Sequence, residues 1–165
     1  YVVKAKILNA ADFGVPQSRR RLLTVGIRKD LAKKHKLEVS FPKPAFDKHL
    51  SVGDLFPHIA YMRATKDGRK QFVPAVGPYP TITASDGLSS LTANFSCGGW
   101  VETQKGEIRK FTLDELRVIS GFPKEFKLGD AKFELGWERY ARAVPPVLMA
   151  YLIRHLRKSI LEKLP

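Results

Sequence analysis

The sequence predicts a mixed α/β chain with two strands at its N-terminal end, a loop-rich β middle and helices at its C-terminal end. Three observations carry this expectation. Runs rich in Val, Ile and Leu flank a Gly/Pro loop near the start, Gly, Pro, Ser and Thr crowd residues 61–101, and two apolar patterns of helical period follow residue 111. With 165 residues, 44% of them hydrophobic, the chain can bury one core or two small ones that lean on each other.

Residues 1–10, YVVKAKILNA, alternate loosely and read as a strand. ADFGVPQS, with Gly14 and Pro16, reads as a loop, and RLLTVGIR at 21–28 as a second strand able to pair with the first. Residues 29–36 are polar and basic and suit one or two helical turns, while FPKPAF at 41–46 holds two prolines and is expected extended or irregular. Ser51, with Asp54 three residues on, predicts a capped helix over 52–59. In the middle, YPTITA and LTANF read as short strands. Thr112 and Glu115 have capping-box spacing and open a helix striped by Leu113, Leu116 and Ile119, which Gly121 and Pro123 end. A polar, Lys-rich interval follows, with no element assigned. Pro146 suits the first turn of a final helix over 146–163. Its apolar face, Val147, Leu148, Tyr151, Leu152, His155, Leu156 and Ile160, is wide enough to predict packing on a segment outside this chain.

Charge narrows the function classes. Lys and Arg number 29 against 16 Asp and Glu, a net charge of +13, which favours a polyanionic partner through phosphate contacts and counterion release. Nucleic acid leads, ahead of a ribosomal-type structural role or a membrane-surface binder. No run of 18 apolar residues is present, so no membrane-spanning helix is expected, and the start carries no apolar leader core. The first residue is not Met, which predicts coding sequence upstream. A single cysteine, Cys97, excludes an internal disulfide and a zinc site built on several thiolates, and it points to a reducing compartment. Alone in SCGGW, it is expected to be inert.

DFGVPQSRRRLLTVGIR carries the strongest chemical signal. A tight loop presents Gln17, Arg19, Arg20 and Arg21 just before a strand, and in an extended backbone Arg19 and Arg21 point one way and Arg20 the other. Two guanidiniums on one face suit a phosphate and a carbonyl oxygen together. A solvated basic edge guarding a strand is the plain alternative. Lys66, Arg69 and Lys70 form a second basic cluster, suited to backbone phosphate or to a solvated loop. Thr81 and Thr83 offer hydroxyls that suit phosphate or base edges, though β-branched Thr also simply favours strands.

The same segment resembles conserved block eight of the cytosine-5 DNA methyltransferases, Gln-x-Arg-x-Arg after a Gly-(Val/Ile)-Pro loop, with Gln17, Arg19 and Arg21 in the signature places. RKFTLDELRVISGFPKEF is similar to block nine, with Arg109, Thr112, Glu115, Arg117 and Gly121-Phe122-Pro123 at the family's spacing. YARAVPPVLMAYLI resembles block ten, although Ala141-Arg142 replaces the usual Gly-Asn before Ala143-Val144-Pro145-Pro146. The three blocks occur in family order around a variable middle.

The resemblance implies a fold, a reaction and roles. The fold would be an α/β fragment: the last antiparallel strand pair of a Rossmann-like methyltransferase sheet over 1–40, a small irregular β-rich target-recognition domain over 41–110, and over 111–165 the block-nine helix and a C-terminal helix returning to the catalytic domain. The reaction would be methyl transfer from S-adenosylmethionine to a cytosine flipped out of double-stranded DNA. Arg21 would bond the carbonyl oxygen of that base, Arg19 would help hold the base or its phosphate, and Gln17 would support the loop. Arg20, Lys66, Arg69, Lys70, Thr81, Thr83 and Arg109 would meet DNA, and Arg142, Ala143 and Val144 would approach the cofactor, with Arg142 standing where the family has Asn. The family's Pro-Cys nucleophile, its Glu-Asn-Val acid and its Gly-rich cofactor loop are absent from these residues, so the chain is expected to be inactive alone and to need an N-terminal catalytic part. No metal is expected. A bacterial or archaeal, cytoplasmic, nucleoid-associated restriction-modification protein fits best. A non-catalytic DNA-binding module, or a relative acting on transfer RNA, are the rival readings.

Overall fold

The computed structural model describes residues 1–66, 69–88 and 98–164. Strand β1 (Val2–Asn9) runs into a 3-10 turn (Ala10–Phe13), and β2 (Gln17–Ser18) and β3 (Arg20–Ile27) follow. β1 and β3 pair antiparallel, Val2 opposite Ile27 and Asn9 opposite Arg20. A short helix α1 (Lys29–Lys34) comes next.

Register divides this strand pair into two unlike faces. Leu8, Leu23, Val25 and Ile27 point inward, because residues two apart share a side and cross-strand partners join them. They pack against the C-terminal helix α6 (Pro146–Ser159) through Leu148, Tyr151, Leu156 and Ile160. The expectation that the apolar face of α6 waits for a segment outside the chain is therefore corrected. Leu148 and Leu152 are buried within these residues, and Tyr151 meets the Phe13 ring at 5.4 Å. The helix is also shorter than expected. Ile160 leaves helical geometry and a 3-10 turn over Leu161–Lys163 completes the segment.

The middle unit has its own core. Helix α2 (Val52–Leu55) carries the expected capping box between Ser51 and Asp54. It stops four residues early because Pro57 keeps Phe56 out of helical geometry, at φ −128° and ψ 76°. Strands β4 (Ile59–Lys66), β5 (Arg69–Pro74), β7 (Trp100–Thr103) and β8 (Ile108–Lys110) form an antiparallel sheet in the order β5-β4-β7-β8. Only Tyr79–Pro80 of the YPTITA run is strand (β6), and the short helix α3 spans Ser85–Leu88. The LTANF run and Cys97 lie outside the described residues.

Helix α4 (Leu113–Ile119) carries the second capping box, and Gly121 at φ +75° follows its end. The Lys-rich interval leads into a helix that was not expected, α5 (Phe133–Arg142). Trp137, Tyr140 and Ala141 on it are buried among Tyr79, Phe111, Leu116 and Ile119. Gly136 lets α5 lie close to α4, since a Cβ there would stand 2.8 Å from Leu113 Cδ1. Gly99 is more constrained still: at φ +84°, its Cβ would fall 2.2 Å from the Trp137 ring. Residues 111–165 thus feed two cores, with α4 and α5 joining the middle unit and α6 the strand pair.

Candidate functional site

The loop before β3 is built from inside. Asn9 caps the 3-10 turn, and Gly14 closes it at φ +83°, a conformation that suits glycine. Ala10 and Arg19 close the base of the loop, the Ala10 N–H donating to the Arg19 carbonyl at 3.0 Å. Val15, Pro16 and Gln17 are buried, so this is a packed loop with a fixed path. The following strap also holds it: the Ala45 N–H donates to the Asp12 carbonyl at 2.9 Å, and His49 Nε2 lies 2.9 Å from Asp12 Oδ1.

One flank of the loop is joined to the middle unit. β2 runs parallel to β6, pairing Gln17 with Tyr79 and Ser18 with Pro80. The Tyr79 N–H donates to the Pro16 carbonyl at 2.9 Å, and the Thr81 hydroxyl donates to the Ser18 carbonyl at 2.8 Å. Tyr79 is itself fastened at its far end, where its hydroxyl donates to the Arg63 carbonyl and accepts from the Gly99 N–H. The join therefore passes from the loop into the heart of the four-stranded sheet.

The three arginines occupy three environments. Arg20 is exposed. Arg21 is half-buried, and among the described residues its guanidinium makes one hydrogen bond, from Nη1 to the Arg20 carbonyl at 2.8 Å. Arg19 is 2% exposed. Its Nη1 donates to the Ile82 carbonyl at 3.1 Å and its Nη2 to the Ala141 carbonyl, with Gln17 Oε1 at 3.5 Å. Burial first, and then the neighbouring charge of Arg21, lower its pKa to about 10, so it stays cationic at neutral pH. The expectation that Arg19 holds a base or phosphate meets a guanidinium already turned inward onto backbone. Gln17, also buried, lies beside it as loop support.

Other expected residues scatter. Thr83 lies beyond β6; its hydroxyl pairs with Ser85 at 2.9 Å, its N–H donates to Asp86, and its carbonyl accepts from the Trp137 indole. Arg109 was expected at DNA, but both its Nη atoms donate to Glu115 at 2.8 Å. Glu115 also accepts from the Thr112 N–H at 2.8 Å and meets His58 Nε2 at 2.9 Å. Burial alone would raise the Glu115 pKa. The hydrogen bonds from Arg109, Thr112 and His58 outweigh it and hold the pKa at about 2. Arg109 thus braces β8 to the start of α4. Lys66, Arg69 and Lys70 belong to the β4–β5 hairpin, and their side chains lie outside the described part of the structure.

Arg142, Ala143 and Val144 form the turn between α5 and α6. Arg142 is mostly exposed and pairs with Glu138 one helical turn back, at 2.7 Å. Val144 is 41% exposed. A paired cation and a partly exposed apolar side chain therefore stand side by side at this turn.

Sequence reasoning missed Tyr79, Asp86, His58 and α5. Asp86 had a legible signal, since Thr83-x-x-Asp86 has capping spacing, and its carboxylate accepts from the Thr83 and Gly98 N–H groups at 2.8 Å. Phe133, Trp137 and Tyr140, four and three residues apart, were the helical signal for α5. His58 and Tyr79 carried none, because their partners lie far away in sequence.

The family profile described as C-5 cytosine-specific DNA methylase matches residues 1–158. The chain belongs to that family. The type II methyltransferase M.MthTI of Methanothermobacter thermautotrophicus is 25% identical over 97% of this chain and 57% of its own length. M.HaeII of Haemophilus aegyptius is 30% identical over 78% of the chain and 42% of its own length. This family member therefore spans about half the length of such curated relatives. Among solved structures, the Dnmt2 methyltransferase of S. pombe superposes with a TM-score of 0.57, covering 95% of this chain and 56% of that one at 17% identity, a likeness of fold. Among the described residues no group of His, Cys, Asp and Glu could hold a metal, and no helix is long and apolar enough to cross a membrane.

Proposed function

We propose that this chain is the C-terminal, DNA-recognising portion of a DNA (cytosine-5) methyltransferase. On this reading β1 and β3 end the catalytic sheet, and the middle unit with α4 and α5 reads DNA. The observation that carries it is the half-buried Arg21 at the root of β3, on a fixed loop whose flank is hydrogen-bonded to the middle unit. That arrangement places Arg21 three residues past the Ser18 join to the middle unit, so a planar cation stands near the junction, as gripping a base delivered by one unit to the chemistry of the other would require. The net charge of +13 suits the phosphate backbone, with Arg20, Lys66, Arg69, Lys70, Thr81 and Thr83 as contacts.

In the reaction Arg21 donates to the carbonyl oxygen at carbon 2 of the everted cytosine, orienting the ring and stabilising negative charge that develops on it. Gln17 and Arg19 keep the loop in place. S-adenosylmethionine supplies the methyl group, with the Arg142–Val144 turn forming part of its enclosure. The 165 residues carry neither Pro-Cys nor Glu-Asn-Val, so the thiol that attacks carbon 6 and the supporting acid come from an N-terminal catalytic part. The outer face of the strand pair supports this, because Val3, Ile7 and Leu22 lie there 56%, 52% and 67% exposed. The test is tritium transfer from labelled cofactor to duplex DNA. The chain alone is expected to transfer nothing and the chain with its N-terminal part to methylate DNA; transfer to transfer RNA in preference to duplex DNA would overturn the substrate assignment.

A further inference from the structure

Three stretches distant in sequence converge on the Arg19 side chain. It leaves the loop beside Gln17 and reaches the Ile82 carbonyl just past β6 and the Ala141 carbonyl at the end of α5. Its position within the signature does not explain why a charged group should be spent on two backbone oxygens. The acceptors do. In a continuing helix the Ala141 carbonyl would accept from the N–H of residue 145, but that residue is proline and has none. Pro145 thus leaves a buried carbonyl without a donor from its own helix, and Arg19, 122 residues earlier, supplies one. A cation also suits the negative end of the α5 dipole. The planar fork matters, since its two Nη atoms serve two carbonyls of different elements at once, which one ammonium cannot match in direction.

We propose that Arg19 is a positioning residue that never touches the base. It locks the middle unit (at Ile82) and the α5–α6 turn (at Ala141) to the loop that carries Arg21, and so sets the alignment of sequence reading with base grip. The Arg-x-Arg and Pro-Pro elements are then two halves of one device. Pro145 creates the vacant acceptor and Arg19 fills it. The alignment role rests on the methyltransferase reading above; the lock itself does not.

Two measurements on the chain assembled with its N-terminal part separate these layers. The first is hydrogen–deuterium exchange, compared for wild type and Arg19→Lys. The lock predicts at least tenfold faster exchange at residues 81–84 and 141–146 together, with the β4–β7 pairing unchanged. Unchanged exchange at either stretch overturns the lock. Should Arg19→Lys fail to fold, Pro145→Ala provides the second route: restoring an N–H at 145 competes for the Ala141 carbonyl and is expected to speed exchange at 81–84. No change there would also count against the lock. The second measurement is bisulfite sequencing of a random duplex library after methylation. Arg19→Lys is expected to broaden the set of methylated sites, whereas Arg21→Lys slows transfer at least tenfold with the set unchanged. If Arg19→Lys slows transfer with the set unchanged, Arg19 belongs with the base and the alignment role falls. If wild type methylates no DNA, the methyltransferase reading falls, while the exchange result still decides the lock.

Discussion

In the middle unit Trp137 and Phe111 are fully sealed from solvent and Tyr79 is 1% exposed, whereas across the outer face of the strand pair Val3, Ile7 and Leu22 each present more than half of their surface. Both regions are sheets with a helix packed on one side. The difference is in how much large apolar surface is sealed on the covered face and left open on the other. In the middle unit α4, α5 and the loop through Gly99 cover one face of the sheet and an ion pair at Glu115 fastens them, while Tyr61 and Ile108 on the other face stay 42% and 44% exposed. In the strand pair α6 covers the inner face and nothing among the described residues covers the outer one. One region seals its largest side chains in its own core, and the other leaves an apolar face exposed among the described residues.

The comparison would break most sharply at Glu115. Replacing it with Ala strands the partly buried Arg109 and removes the α4 capping box, an expected loss of about 4 kcal/mol in urea denaturation. Acid should do the same gradually. The Glu115 pKa is lowered in the folded state, so its stabilisation is complete above the unfolded value of 4.5 and is lost as pH falls through about 2. Stability of wild type relative to Glu115→Gln, followed by fluorescence between pH 6 and 2 at roughly constant ionic strength, should therefore shrink toward the acid end.

Leu148→Ala, on the covered face of the strand pair, is expected to cost about 3 kcal/mol, since a fully buried leucine leaves a cavity. A loss under about 1 kcal/mol would mean that α6 is not seated there in solution. The smallest effect on stability sharpens the contrast. Leu22→Ser, on the open face, should change the unfolding free energy of the isolated chain by less than about 0.5 kcal/mol. The same substitution should weaken assembly with the N-terminal part at least tenfold in a titration calorimeter. A large stability loss without an assembly defect would show that the outer face is already covered within this chain.

Much of the fold was legible because its signals are local. Capping boxes at Ser51 and Thr112, the stops at Gly121 and Pro123, and Pro146 at a helix start depend on residues within a few positions of each other. The alternation of Arg19, Arg20 and Arg21 was also readable, and their burial follows it. The role of each arginine was not, because it depends on which carbonyls the fold brings to it.

By itself the sequence determined the N-terminal strand pair, the capped helices at Ser51 and Thr112, the final helix, the basic charge and the loop that presents three arginines, since each follows from composition, spacing or local backbone chemistry, and its resemblance to conserved blocks gave the family. Only the tertiary structure decided that Arg19 turns onto Ile82 and Ala141, that Arg109 belongs to Glu115 and His58, and that α6 is covered while the outer strand face is not. A guanidinium bonds whichever oxygen the packed chain places within its reach, and partners 63 or 122 residues away have no signature in the residues beside it.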